Sequence, residues 1–529
     1  MYITPQTNIK LISNCPCDPD YTNTLHWYSK ADQSAYFASI AKYSLNGYSY
    51  QRYGKNKLRV NILADNLYDV NYMMFQNTAY GNKWFYAFVT GVEWLNNTTT
   101  EITYEMDEMQ TWYLDYSMSQ CFVERQHSTT DEIGDNILPE DVDLGEMVYN
   151  YYSDISSYHQ AMNLTDLAII VAIIDVDADT QHIASGTTYE HVYSAAQLWA
   201  FSSTAVSAID DKINEYKDKP DSIVSIYTVP RFAVPLTTAQ LDAGSQIHTS
   251  TTVQAPEDVT LQDISSNNSL DGYTPKNKKL YTYPYNFINI DNGKGETLAL
   301  RYEFFSGNHP VVSLYFNLLA PSTVLLQPKN YKGLDNGAKL HTESITLDNY
   351  PLCCWSYDAF QAWLAQNVTP TLIGVGGAYA TTLGVIAGAS VPPIGVAAGV
   401  AAIASILTKG YKASIQADPA KGMFNGGNVN VANNLHTFFV GRMSVNAQYA
   451  EVIDNYFTRF GYAQHKVMTP VRDARAKWTY IKTLGCTIRG SLPADSEKKI
   501  QSIFDAGVTI WINPSEVGDF SLSNPPSLG

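Results

Sequence analysis

The chain has 529 residues, too many for one hydrophobic core, and is expected to divide into two to four domains. Charged residues make up 16% of it, 38 tyrosines outnumber the 34 lysines and arginines, and the net charge is −17. With 45% apolar residues, disorder is excluded, and so acidic a balance argues against wrapping nucleic acid, which needs a basic surface.

The first ten residues lack a basic start followed by an apolar run, so no secretory signal is expected. Asn8–Ser13 and Lys57–Ala64 predict strands. Asp65 as a cap, with Leu67, Val70, Met73 and Met74 on one face, predicts a helix over Asp65–Gln76. Lys83–Val89 is aromatic-rich like a buried strand, and Glu101–Trp112 alternates. Asp131, Glu132, Asp135, Glu140, Asp141, Asp143 and Glu146 follow with no basic residue among them. They read as a solvated linker, or as an acidic surface past which a polyanion slides.

Further on, Leu167–Asp175 is strand-like and Ser194–Lys217 predicts a helix closed by Pro220. Asp291-Asn292-Gly293 between β-rich runs is a hairpin signal, and Val311–Leu319 supplies another strand. Near the C-terminus, Tyr449, Val452, Ile453, Tyr456, Phe457 and Phe460 share a helical face that Gly461 closes. Trp478–Ile488, a helix opened by Pro493 and stopped at Gly507, and Val508–Ile512 predict a β-α-β unit.

Residues 359–408 contain no Asp, Glu, Lys, Arg or His. Pro392 and Pro393 cannot lie inside a regular helix, so two apolar arms joined by a turn are expected. The first arm carries Leu372, Ile373, Val375, Leu383, Gly384, Ile386, Gly388 and Val391. The second carries Ile394, Gly395, Val396, Gly399, Val400, Ile403, Ile406 and Leu407. As helices they would reach about 30 Å and 21 Å, against roughly 30 Å of bilayer hydrocarbon. The pairs Gly384/Gly388 and Gly395/Gly399 have the small-xxx-small spacing that brings apolar helices together in lipid. The bland reading is a buried glycine-rich hairpin. A segment hidden in one state and membrane-active in another fits better, because its length and glycine content suit neither a buried helix nor an exposed patch.

No nucleophile elbow, phosphate loop, zincin helix or dinucleotide fingerprint occurs in context, so neither a catalytic centre nor a cofactor is expected. Asp175, Asp177 and Asp179 have the spacing of a calcium loop but lack its glycine and distal glutamate. Cys15, Cys17, Cys121, Cys353, Cys354 and Cys486 have no zinc-like spacing and are expected to be buried thiols.

The block Met74-Phe-Gln-Asn-Thr-Ala-Tyr-Gly-Asn-Lys-Trp-Phe-Tyr-Ala-Phe-Val89, with Asp107-Glu-Met-Gln-Thr-Trp112, resembles the distal tail knob (tail tube) proteins of small podoviruses, the Picovirinae or phi-29 group. Tyr283-Pro-Tyr285, Phe460-Gly-Tyr462 and Ile503–Trp511 extend the resemblance. It implies an α+β, β-rich multidomain fold, with a tail-tube-like domain built from the N- and C-terminal parts and a long apolar loop insertion. The implied division is residues 1–130 with 425–529 for the proximal tube wall, 131–365 for distal wall domains, and 366–424 for the loop.

The resemblance further implies a homohexamer at the distal end of the short tail, made in the host cytoplasm. It would contact the lower collar and tail proteins and pass double-stranded DNA. Its apolar loops would plug the channel and then penetrate the host membrane. A purely structural tube subunit, a soluble pore-forming protein and a wall-degrading enzyme are the competing readings.

Overall fold

The computed structural model describes residues 6–48, 56–158, 167–174, 188–189, 192–193, 196–216 without 203, 222–250 without 248, 256–333 without 265–267, 294 and 319–322, 343–348, 353–356, 430–431 and 437–527. Two compact units share the chain. The first is Met1–Gly145 with Gly272–Thr282 and Asn446–Gly529; the second is Glu146–Asp271 with Tyr283–Val445. Both are β-rich with a few helices.

In the first unit, a six-stranded antiparallel sheet runs in the order Ala41–Tyr48, Thr7–Ser13, Val70–Asn77, Phe85–Asn96, Thr99–Met106, Lys57–Val60. Alternation divides its strands between two cores. Met73, Ala87, Ile102 and Tyr104 enter one, with Ile9 and Leu11. Tyr72, Met74, Tyr86 and Phe88 enter the other, with Trp478, Ile481, Ile500, Phe504 and Trp511.

The strand Val70–Asn77 replaces the helix expected over Asp65–Gln76. Only a 3-10 turn at Ala64–Asn66 remains of it, because neighbouring strands take the hydrogen bonds of Val70–Asn77 on both sides. Glu101–Trp112 is a strand only to Met106. Asp107 then caps the short helix Glu108–Trp112, its carboxylate accepting from the Gln110 N–H at 2.9 Å.

A second sheet joins the two ends of the chain. Its order is Asn23–Leu25, Val508–Trp511, Trp478–Leu484, Cys121–Gln126, Tyr462–Met468, and its first pair is parallel. The expected C-terminal β-α-β unit is present, with strands Trp478–Leu484 and Val508–Trp511 antiparallel and helix Ala494–Ala506 burying Ile500, Ile503 and Phe504. Helix Ala447–Phe460 is capped by Asn446 and closed by Gly461 at φ +64°. Cys15, Cys17, Cys121 and Cys486 are buried free thiols; the side chains of Cys353 and Cys354 are not among those described.

The second unit holds three larger sheets. Met147–Asp154, Phe439–Val445, Asn286–Asp291 and Thr297–Leu300 form one, with the Asp291-Asn-Gly hairpin at the predicted place. Glu257–Thr260, Val311–Asn317, Thr323–Lys329 and Ile345–Asp348 form another. The third is six-stranded, in the order Ser245–Ile247, Gln197–Ser202, Leu167–Ile173, Ile223–Pro230, Cys353–Ser356, Asn430–Val431. Gln197–Ser202 is a strand, paired with Leu167–Ile173 and Ser245–Ile247, and among the described residues of the helix expected over Ser194–Lys217 only Val206–Glu215 is helical.

Two measurements test this packing. A Cβ on Gly461 would lie 2.4 Å from the backbone of Gln126 and His127, so Gly461→Ala is expected to cost at least about 2 kcal/mol in chemical denaturation. The second test is pH. Burial lowers the pKa of His127 to about 3, aided by Arg475 and Arg125, while its ring accepts from the Tyr480 N–H and bonds the Thr458 carbonyl. That stability is present above the unfolded value of 6.5 and is lost on acidification, by about 2 kcal/mol at pH 5. Burial raises Asp107 to about 7, helped by Glu108 and opposed by hydrogen bonds from Gln110 and Tyr72. This contribution is present below the unfolded value of 3.8 and is lost as pH rises through 7. The two trends oppose each other between pH 4 and 6.5. Asp107→Asn, which keeps a cap acceptor, is therefore expected to steepen the acid loss of stability in urea melts.

Candidate functional site

The sequence points first to the apolar run, and all of its named residues, Leu372 to Leu407 with Pro392 and Pro393, lie outside the described residues. So do Asp175, Asp177 and Asp179. The nearest described residues on either side of it are 353–356 and 430–431. Cys353 pairs with Val431 and Cys354 with Asn430, antiparallel, while Tyr227, Ile226 and Ser225 pair with Cys354, Trp355 and Ser356. The chain therefore leaves and re-enters the six-stranded sheet on adjacent strands at one edge. Among the described residues no helix is long and apolar enough to cross a membrane, and no group of three His, Cys, Asp or Glu is placed to hold a metal.

The acidic stretch is described throughout, and it divides by environment. Glu140 is inside: its side chain is 0% exposed, Lys279 lies 2.6 Å away and is 1% exposed, and Arg125 pairs with the other oxygen. Glu140 also accepts the Ala463 N–H at 3.0 Å. Lys279 donates its remaining reach to the Leu138 carbonyl at 2.8 Å and sits over the rings of Phe457 and Tyr462. Burial pulls the Lys279 pKa down, and the Glu140 charge opposes that. Asp131 accepts from the Tyr462 hydroxyl at 2.6 Å and lies 3.6 Å from Arg475; burial raises its pKa.

The remaining acidic residues are at the surface. Glu132 pairs with Lys278 at 2.7 Å while 76% exposed, a contact worth little. Asp135 and Asp143 accept backbone N–H groups in local turns, and Asp141 and Glu146 are exposed. Glu140 and Asp131 are thus taken up internally, Glu140 in an ion triad, while the other five carboxylates lie at the surface. The basic partners Arg125, Lys278, Lys279 and Arg475 were not singled out by sequence reasoning. Three of the four lie more than a hundred residues from the carboxylates they meet, so no local pattern marks them.

The architecture and its comparisons converge on one class. Residues 5–117 match the model of the caudoviral major tail protein N-terminus, which defines a tailed-phage tail protein. Residues 252–525, over half the chain, match the C-terminal domain of tail knob protein gp9 of Bacillus phage phi29, and the chain belongs to that tail knob family. Along its whole length it is similar to the tail knob proteins gp9 of Bacillus phage B103, at 24% identity, and Bacillus phage PZA, at 25%, each alignment covering 98% of both chains. The fold is shared with the bacteriophage C1 tail knob protein gp12, with a TM-score of 0.63 and 16% identity over 97% of this chain and 98% of that one.

Removing one member of a buried pair leaves an uncompensated charge, so Glu140→Gln is expected to destabilise by about 3 kcal/mol. Glu140→Gln with Lys279→Met should recover most of that loss, as read by denaturant midpoints at constant m-value.

Proposed function

We propose that this tail knob protein assembles as a homohexameric tube at the distal end of a short tail. The tube conducts the viral genome, and residues 366–424 form loops that plug its distal channel and penetrate the host membrane when released. Residues 1–130 with 425–529 make the proximal wall and 131–365 the distal wall. The protein is made in the host cytoplasm and joins the lower collar and tail proteins of the same virion.

One observation carries the membrane step: an uncharged run, residues 359–408, within a stretch of chain whose two ends, Cys353–Ser356 and Asn430–Val431, are adjacent strands at one sheet edge. Such a stem lets a long loop be displaced without disturbing the order of the sheet that carries it. Net acidity supports the conduit, since a wall that attracts phosphates would bind DNA and arrest it. Asp135, Asp141 and Asp143, exposed and without internal cationic partners among the described residues, are the carboxylates available for such a surface.

The test uses purified full-length protein. Electron microscopy is expected to show six-fold rings or tubes, and dye-loaded liposomes to leak on acidification or another trigger. Deleting Thr371–Thr408 should abolish leakage and keep the rings. A deletion variant that leaks as well as the parent removes the membrane role. Rings without leakage from the intact protein would leave a purely structural tube subunit.

A further inference from the structure

Cys121 and Cys486 are far apart in sequence and meet within the first unit. Strands Cys121–Gln126 and Trp478–Leu484 pair as far as Phe122 opposite Leu484. Tyr116–Met118 and Ile488–Gly490 resume the pairing in the same register, with Met118 opposite Ile488, and the Ser119 N–H donates to the Thr487 carbonyl at 2.8 Å. The two cysteines fall in the gap between, one residue out of line across the ladder. Successive side chains on a strand point to opposite faces, so a regular ladder would keep them apart. Gly485, at φ +67°, breaks the alternation, and a hydrogen bond joins the two thiols.

The loop that carries Cys486 is fastened. The Cys486 N–H donates to the Asp505 carboxylate at 3.0 Å, and the Thr483 hydroxyl donates to the same oxygen at 2.7 Å. Asp505 belongs to helix Ala494–Ala506, so the loop is tied to that helix. Cys121 is 6% exposed and Cys486 5%. Gln120, Gly485 and Thr487 beside them are exposed, so one layer of loop separates the pair from solvent.

The two thiols are not equivalent. Burial raises the pKa of both, Cys486 up to about 12. On Cys121 the Thr487 N–H and the Cys486 thiol oppose that rise by donating to its sulfur. Cys121 is therefore the sulfur that better tolerates negative charge.

We propose that Cys121 and Cys486 form a disulfide when the protein meets small-molecule disulfides outside a reducing cytoplasm, the setting in which a virion component works. A brief opening of the exposed loop admits the oxidant. The Cys121 thiolate attacks it, one small thiolate leaves and takes a proton, and a mixed disulfide remains. The Cys486 thiolate then displaces the second small thiolate, which takes the other proton. The protein gives up two hydrogens with their electrons, and one small disulfide becomes two thiols. The closed ring holds every residue from 121 to 486, the whole second unit among them. The bond clamps the N- and C-terminal parts of the first unit together whatever the intervening chain does. A bridge across so long a loop also takes more freedom from the unfolded chain than a short one. Cys15 and Cys17, which hydrogen-bond each other as well, enclose a single residue and provide no such clamp.

The experiment compares full-length protein held in dithiothreitol with protein incubated in oxidised glutathione, by intact mass, tryptic mapping without reduction, and thermal melts. Arg125, Lys482 and Arg489 are cleavage sites that put the two cysteines on different peptides. A linked peptide pair, the loss of two hydrogens and a Tm several degrees above the reduced form are expected. Cys121→Ala and Cys486→Ala should each lose the oxidant-dependent rise, and Cys15→Ala should keep it. If a variant does not fold by circular dichroism, the mapping of the parent decides. Thiols of Cys121 and Cys486 that remain free to alkylation after oxidation overturn the proposal, as does a stable glutathione adduct on either, or a bridge confined to Cys15 and Cys17. A linked pair with an unchanged Tm overturns the clamp.

Discussion

The aspartate in the middle of helix Ala447–Phe460 is the interaction on which the first unit's composition depends. Asp454 is fully buried and accepts from the Tyr273 hydroxyl, the Lys276 and Asn277 N–H groups and the Asn277 side chain, at 2.8–3.0 Å. Asn277 also reaches Thr458 on the same helix and receives the Tyr462 hydroxyl. Residues 272–282 belong to a stretch that enters the first unit from the second and leaves again. A short passage of that kind has little apolar surface of its own, so polar specificity has to place it. Once it is placed, Lys279 is delivered to Glu140 and Lys278 to Glu132.

This explains how a chain poor in basic residues uses them. Lys279 and Arg125 are spent inside on one carboxylate, and Arg475 is buried beside Asp131. Buried pairs of this sort add little net stability over an apolar replacement, but they tolerate only one arrangement of their elements. In a protein whose chain passes between two units several times, a requirement for one arrangement is more useful than a few kcal/mol. The net acidity itself follows from composition, 51 acidic residues against 34 basic ones, because among the described residues the buried Lys279, Arg442 and Arg475 are matched by the buried Glu101, Asp107 and Asp454.

Much of the fold was legible where a pattern is local. The helical face from Tyr449 to Phe460, its Gly461 stop and the Asn292-Gly293 hairpin could be read because cap, period and turn chemistry lie within a few residues of one another. Val70–Asn77 misled because Val70, Met73 and Met74 satisfy a helical stripe, while the deciding fact is the pair of strands on either side, one contributed by residues 7–13. Trp199 and Phe201 were read as helical for the same reason. For the site, the acidic stretch was visible but its division was not: nothing near Glu140 announces a lysine that arrives from position 279. The apolar run was visible from composition alone, and its stem was not, since strands of four and two residues are too short to show a period.

That stem has an entropic consequence. A loop whose ends are already held side by side costs only the entropy of closing it, which grows with the logarithm of its length, about 0.6 kcal/mol for each doubling. On that term alone, a change in the number of residues between Ser356 and Asn430 bears little on the pairing of Cys353–Ser356 with Asn430–Val431. The sheet edge fixes where the two ends of any sequence inserted between these strands meet, whatever its length.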